Sequence, residues 1–170
     1  TRKPVGIQIV DGAIVQEVET ATKVFSLGIK DGNELVAYPY GTTAQAILDD
    51  GATDALTAFV PLIEDHTPAS ATVLETVTNL GQKHPRQVIA QLDNLDLVIM
   101  SVGGRGYGGE GMTGLDLIRV LQEQEFDVKF AFNLDGGGSV TTVVDGERIT
   151  PQIDGNGTLD RPRPNFLYVE

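Results

Sequence analysis

The residues best placed to do chemistry lie in Asn133-Leu134-Asp135-Gly136-Gly137-Gly138-Ser139, a polar cluster directly after a strongly apolar stretch. Val128, Phe130, Phe132 and Leu134 alternate with Lys129, Ala131, Asn133 and Asp135, and a period of two puts each set on its own face of a strand. Asn133 and Asp135 are therefore expected to point the same way. The three glycines let the chain turn through positive φ and let a ligand approach bare backbone N–H groups. An Asp-Gly pair alone reads as a hairpin turn. A hairpin needs only one or two glycines, so the third, with Asn133 before and Ser139 after, makes a ligand-facing loop an equal alternative.

Of the twelve basic residues, Arg86, Arg105, Arg161 and Arg163 sit beside turn or loop signals rather than inside amphipathic elements. Singly, each reads as solubilising charge. Converging, they would form a guanidinium clamp suited to the paired oxygens of a phosphate. Asp135 is either the acceptor of a local turn or a group for acid–base or nucleophilic work, and Glu110 is a second carboxylate candidate whose bland reading is a solvated loop residue. Only His66 and His84 are present, so a Ser-His-Asp relay through Ser139 is not expected. Ser139 is read instead as a hydrogen-bond donor to a bound oxygen.

Composition narrows the classes. A chain of 170 residues with 41% hydrophobic and 21% charged residues suits one well-cored domain, and no apolar run is long enough to cross a bilayer. The absence of cysteine excludes disulfides and thiolate chemistry, and two histidines exclude a multi-histidine metal centre, so neither a cofactor nor a metal is expected. A site of oxygen ligands alone stays open. With a net charge of −12, nucleic acid is not an expected partner, nor is insertion into a membrane. Thr1-Arg2-Lys3-Pro4 leads into an alternating strand without an apolar leader, which reads as a piece of a longer polypeptide.

The positioning elements are mostly antiparallel strands. Asp11-Gly12, Asp31-Gly32-Asn33, Asp93-Asn94 and Asp145-Gly146 each separate two extended runs, predicting four hairpins. Thr42 to Asp50 predicts a short helix. Ala55 to Ile63, broken by Pro61, predicts an edge strand, and Ser70 to Leu80 a rim strand or an embellishment. Leu97 to Met100 is apolar on both faces, which predicts the centre of a sheet, followed by a flexible loop with five glycines between Gly103 and Gly109. Thr113-Gly114-Leu115-Asp116 opens a helix through a capping box, with Leu115, Leu117, Ile118 and Leu121 as its apolar face. Strand, glycine loop, helix and strand together resemble a βαβ crossover, and parallel neighbours would bring Arg105 and Asp135 to one sheet edge. Phe166 to Val169 predicts a last strand. The fold class is α/β in the α+β sense: a single domain with a large, mixed, mostly antiparallel sheet and helices packed on it.

The run Phe132-Asn133-Leu134-Asp135-Gly136-Gly137-Gly138-Ser139, preceded by Gly111-Met112-Thr113 and followed by Arg161-Pro162-Arg163-Pro164-Asn165, resembles the phosphodiester glycosidase family. Pro85-Arg86 and Gly104-Arg105 are similar to two further family landmarks, and the likeness covers residues 85 to 170 most clearly. The resemblance implies hydrolysis of a sugar-1-phosphodiester by an α/β domain with a large mixed sheet. Two departures stand out. Gly103-Gly104-Arg105 replaces the family's usual Asp-Gly-Arg, and the family's Asn-Gly-Gly-Phe-Phe-like segment before the Pro4 equivalent is absent from residues 1 to 170.

The leading expectation is a hydrolase of a glycosyl phosphodiester, one setting being a phosphate-linked cell-wall glycopolymer. Arg86, Arg105 and Arg161 would grip the phosphate, Asn133, Ser139 and the Gly136, Gly137 and Gly138 backbone would orient it, and Asp135 would assist cleavage, with Glu110 as a spare acid. The partner is then a phosphate-containing glycan or glycoconjugate, and the setting extracellular, cell-surface or virion, within a larger polypeptide or oligomer. Alternatives are a non-catalytic glycan-binding module and a structural module of a phage tail or cell-surface protein.

Overall fold

Alternating side chains sort the strands into layers. The computed structural model describes residues 4–19, 23–77 and 79–169, so the reading of Thr1-Arg2-Lys3 as the start of a fragment falls outside the described residues. One antiparallel sheet comprises β1 (Gln8–Val10), β2 (Ala13–Gln16), β3 (Ser26–Lys30), β4 (Leu35–Tyr38) and β5 (Ala52–Thr57), in the order β2-β1-β5-β3-β4. The other comprises β6 (Val60–Glu64), β7 (Thr67–Pro68), β8 (Arg86–Leu92), β9 (Leu97–Val102) and β10 (Val128–Asn133), in the order β7-β6-β10-β8-β9. A small hairpin of β11 (Val143–Val144) and β12 (Glu147–Arg148) stands apart. The expected α+β class with mostly antiparallel strands is what forms; its strands divide between two sheets instead of one.

The sheets meet through Leu27 and Leu35 on one side and Ile89, Phe130 and Phe132 on the other, with the two phenylalanine rings stacked at 6.3 Å. Gln91, buried between them, accepts from the Leu35 N–H at 2.9 Å and donates to the Asn33 carbonyl at 2.8 Å, so a polar group also joins the layers. Helix α1 (Ala44–Asp49), capped by the Thr43 hydroxyl, covers the outer face of the first sheet through Ala44 and Ile47. Helix α3 (Gly114–Gln122) covers the outer face of the second through Leu117, Ile118 and Leu121, and its Thr113–Asp116 capping box forms as predicted. Leu115 is 69% exposed: two residues before Leu117, it lies some 200° round the helix from the buried face.

Several expectations need correction. Leu97 to Val102 is an edge strand, partly covered, and the doubly buried strands are β8 and β10. Ala55 to Ile63 is not one edge strand. It holds the end of β5 and most of β6, interior strands of different sheets, and Pro61 is tolerated where the register with β10 shifts between Ala131 and Phe132. Of the two readings of Ser70 to Leu80, the rim strand is the one overturned: among the described residues the segment is an embellishment with a one-turn helix, α2 (Ala71–Leu74), whose cap is the Ser70 hydroxyl accepting from the Val73 N–H. Phe166 to Val169 is exposed and, among the described residues, pairs with no strand.

At the Val128 end of the second sheet, three connections meet at His66. Its Nδ1 lies 3.3 Å from Asp127 and its Nε2 3.2 Å from Asp93. Desolvation opposes protonation, but the two carboxylates outweigh it and raise the imidazole pKa above its ordinary value. A raised folded-state value adds stability that is complete below the unfolded pKa and fades as pH rises through the folded one. Replacing His66 by Asn, which suits its left-handed backbone (φ 60), should therefore lower the melting temperature at pH 5.5 more than at pH 8.5. A pH-independent difference would show that the ion pairs contribute nothing. In the intersheet core, Phe132→Ala should reduce unfolding free energy by about 3–5 kcal/mol in chemical denaturation. A loss below about 1 kcal/mol would mean that the layers close over the gap.

Candidate active site at one edge of the second sheet

Strand β8 runs antiparallel to both its neighbours, β10 and β9, so those two run in the same direction and end at one edge, where β8 begins. The registers Arg86↔Val102 and Val88↔Asn133 fix this alignment. Arg86, the turn carrying Arg105 and the loop carrying Asp135 all emerge there. The expected parallel adjacency is absent, since β8 intervenes, but the shared edge is real. His84 senses the convergence: burial lowers its pKa, and the positive charges of Arg86 and Arg105 lower it further. Its Nδ1 is buried without a partner among the described residues.

The glycine loop prolongs the strand pairing. Leu134 N–H donates to the Gln87 carbonyl at 2.8 Å and Gly137 N–H to that of Pro85 at 3.0 Å, so the loop is tied to the lead-in of β8. Asn133 and Asp135 do not share an environment. Asn133 is fully buried, with Nδ2 donating to the Leu134 carbonyl at 2.9 Å and Oδ1 unpartnered among the described residues. Asp135 is exposed and accepts from Gly136 N–H at 2.8 Å, the local turn contact. Arg163 donates to the Ser139 and Gly138 carbonyls at 3.1 and 2.9 Å, holding the far side of the loop.

Asp154, at the start of the short turn α4 (Asp154–Gly157), was not a sequence candidate, yet its carboxylate lies at the centre of this edge. It accepts from Arg161 Nε at 2.8 Å and Nη2 at 3.1 Å, and it lies 3.9 Å from Arg105 Nη1. Gly138 passes beneath it, and any Cβ there would collide with the carboxylate. Arg161 Nη1 also reaches the Ser139 hydroxyl at 3.4 Å. The one available signal was the polar Asp154-Gly155-Asn156-Gly157 run shortly before Arg161.

Gly103 to Gly109 forms a tight turn in place of a flexible loop. Gly104 and Tyr107 exchange backbone hydrogen bonds at 2.9 and 3.0 Å around Arg105 and Gly106, both left-handed (φ 59 and 82). The Tyr107 ring packs on Gly157 and Pro151 on Gly108, fastening the turn to the Asp154 segment. At Gly103 a Cβ would fall 2.6 Å from Tyr107 and Gly108 backbone, so this turn has no room for the acidic side chain usual in the family. The Arg105 side chain is 46% exposed and lies against Gly137, where a Cβ would come within 3.1 Å of its Nη2.

Arg86 and Glu110 occupy opposite extremes. Arg86 is 2% exposed and donates to the carbonyls of Met112 at 3.0 Å, Asn79 at 2.6 Å and Gln82 at 2.8 Å, and burial pulls its pKa below the usual arginine value. Its guanidinium lies behind Gly136, joining β8 to the lead-in of α3. Glu110 is exposed and has no polar partner among the described residues. Among the described residues the one group of side chains spaced to share a cation is His66, Asp93 and Asp127, exposed and at the opposite end of the sheet. Two hollows, of about 160 Å³ beside Gln91 and Lys129 and about 290 Å³ beside His66 and Phe126, also lie at that far end. The polar convergence, not a cavity, marks the Arg105 edge as the candidate site.

The SPbeta prophage-derived uncharacterized protein YomE of Bacillus subtilis (strain 168) is 31% identical over 153 residues, covering 88% of this chain and 23% of that protein. The solved catalytic domain of zebrafish N-acetylglucosamine-1-phosphodiester alpha-N-acetylglucosaminidase, auto-inhibited by its pro-peptide, superposes with a TM-score of 0.72 at 21% identity, over 94% of this chain and 55% of that one. The chain thus spans about a quarter of its curated relative and about half of the solved domain, and the second likeness is one of fold. The phosphodiester glycosidase family profile matches residues 1–170, from end to end, and the chain belongs to that family.

Proposed function

We propose that this chain hydrolyses a glycosyl phosphodiester at the Arg105 edge. The observation that carries the reading is the Arg105 guanidinium lying against Gly137, two residues from the exposed carboxylate of Asp135. Arg105 takes the phosphate oxygens, the Gly136–Gly138 backbone and the Ser139 hydroxyl orient them, and Arg161 borders the seat through Ser139. Arg86 adds buried positive charge behind Gly136. Asp135 assists attack of water at the anomeric carbon, the C–O bond to phosphate breaks, and the departing phosphate is stabilised by the guanidinium charge. Asn133 fixes the start of the loop, and Glu110 serves as a spare acid.

A phosphate-linked glycopolymer of a cell wall is the substrate class proposed, with the domain working outside the cell, on its surface or on a virion as part of a larger polypeptide. The prophage-derived relative, four times longer than the matched region, supports that setting. A second reading, a glycan-binding module that does not cut, is favoured by one feature: the turn at Gly103 leaves no room for an acid beside Arg105.

Incubation with a sugar-1-phosphodiester separates these readings. The wild-type chain should release sugar, Asp135→Asn should lower kcat by roughly 100-fold or more, and Arg105→Lys should chiefly raise KM. Equal release by wild type and Asp135→Asn would remove Asp135 from the mechanism. Saturable binding of a teichoic-acid-like polymer without product over long incubation would establish the second reading, and absence of both would leave a structural module.

A further inference from the structure

The geometry points to Asp154 as the positioning residue of this site: its carboxylate, wedged between Arg161 and Arg105, holds the Arg105 guanidinium over the glycine loop in the orientation that receives a phosphate. The inference rests on the phosphodiester reading above and names a residue which that reading does not use.

Arg105 needs such a hold. Its side chain is 46% exposed, it springs from a left-handed residue in a two-residue turn, and its ionic contact among the described residues is with Asp154. A long exposed side chain otherwise samples many rotamers, and fixing it only when ligand arrives would weaken binding. Arg161, by contrast, is committed: two of its nitrogens form a fork on the Asp154 carboxylate and the third reaches Ser139. The fork anchors the carboxylate. Gly138, lacking a Cβ, lets it lie directly on the loop, and Tyr107 packed on Gly157 ties the Arg105 turn to the Asp154 turn. Two guanidinium groups sharing one edge repel each other, and the carboxylate between them offsets that repulsion.

Charge and position predict opposite signs, which makes the idea testable. If Asp154 only neutralised charge, removing it would strengthen binding of an anion; if it positions Arg105, removing it weakens binding. For Asp154→Asn we expect KM for a sugar-1-phosphodiester and the inhibition constant of inorganic phosphate to rise roughly tenfold, with kcat within about threefold of wild type. The Arg161 Nε–H resonance, which now donates to Asp154 at 2.8 Å, should also exchange faster with solvent in the variant. Unchanged or tighter phosphate inhibition in a turning-over Asp154→Asn protein would overturn this inference and leave the hydrolase reading intact. If the wild type cleaves nothing, the hydrolase reading fails, and direct phosphate titration of both proteins decides the inference by the same sign. Should Asp154→Asn not fold, Asp154→Glu takes its place: it keeps the charge but lengthens the arm, so weakened phosphate binding supports positioning and wild-type binding overturns it.

Discussion

Backbone pairing of β8 with β9 and β10 is the constraint on which the site depends. Because β8 is antiparallel to both, the C-terminal ends of β9 and β10 and the N-terminal end of β8 share one edge, and three separate segments arrive there without a long loop. The register is sharply defined. Val88 and Ala90 face the α3 helix while Ile89 faces the other sheet, so a one-residue slip would turn the whole apolar set inside out. It would also send Arg86 and Asn133 to the wrong faces. The same burial that gives the sheet its stability thus fixes which functional groups reach the edge.

Within that frame the arginines divide by what they touch. Arg86 and Arg163 each donate three hydrogen bonds to backbone carbonyls, Arg163 also lying 3.7 Å from the Asp160 carboxylate, and their guanidinium groups brace the connecting segments around them. A planar group with five donors can satisfy several carbonyls at once, which a lysine cannot. Arg161 is bound to a carboxylate and Arg105 stays half exposed. Removing the clamp's outer members from direct contact leaves a smaller cationic point than four converging arginines would make. On a chain of net charge −12, such a point is local: beyond a Debye length, the surrounding acidic surface sets the sign of the field.

Much of the fold was legible because its signals are local. Period-two alternation located most strands, Asp-Gly and Asp-Asn turns located four hairpins but not the short β6–β7 pair, and Thr113 with Asp116 gave the cap of α3. The failures arose where local pattern and global position part company. Leu97 to Met100 is apolar because one face meets the core and the other is only partly covered, and alternation cannot distinguish that from a central strand. Pro61 argued for an edge, yet a register shift lets an interior strand tolerate a residue without an N–H. Whether the strands form one sheet or two depends on Gln91, Phe130 and Phe132 meeting Leu27 and Leu35, contacts between residues more than fifty positions apart.

The site was legible in the same uneven way. Asp135, Ser139 and the glycines stand together in one string, and Arg105 follows a strand end, so their proximity could be inferred from topology alone. Asp154 could not be found like that. Among its partners are Gly138, Arg161 and Arg105, brought to it by three different segments, and nothing in Asp154-Gly155-Asn156-Gly157 distinguishes it from an ordinary polar turn. Arg86 erred in the opposite direction, since a basic residue beside Pro85 looks exposed until the carbonyls of Asn79, Gln82 and Met112 are seen to enclose it. A glycine carries information of another kind. Gly103 and Gly138 are required by neighbours that press against their α-carbons, so the sequence records at those positions the space that a distant segment occupies.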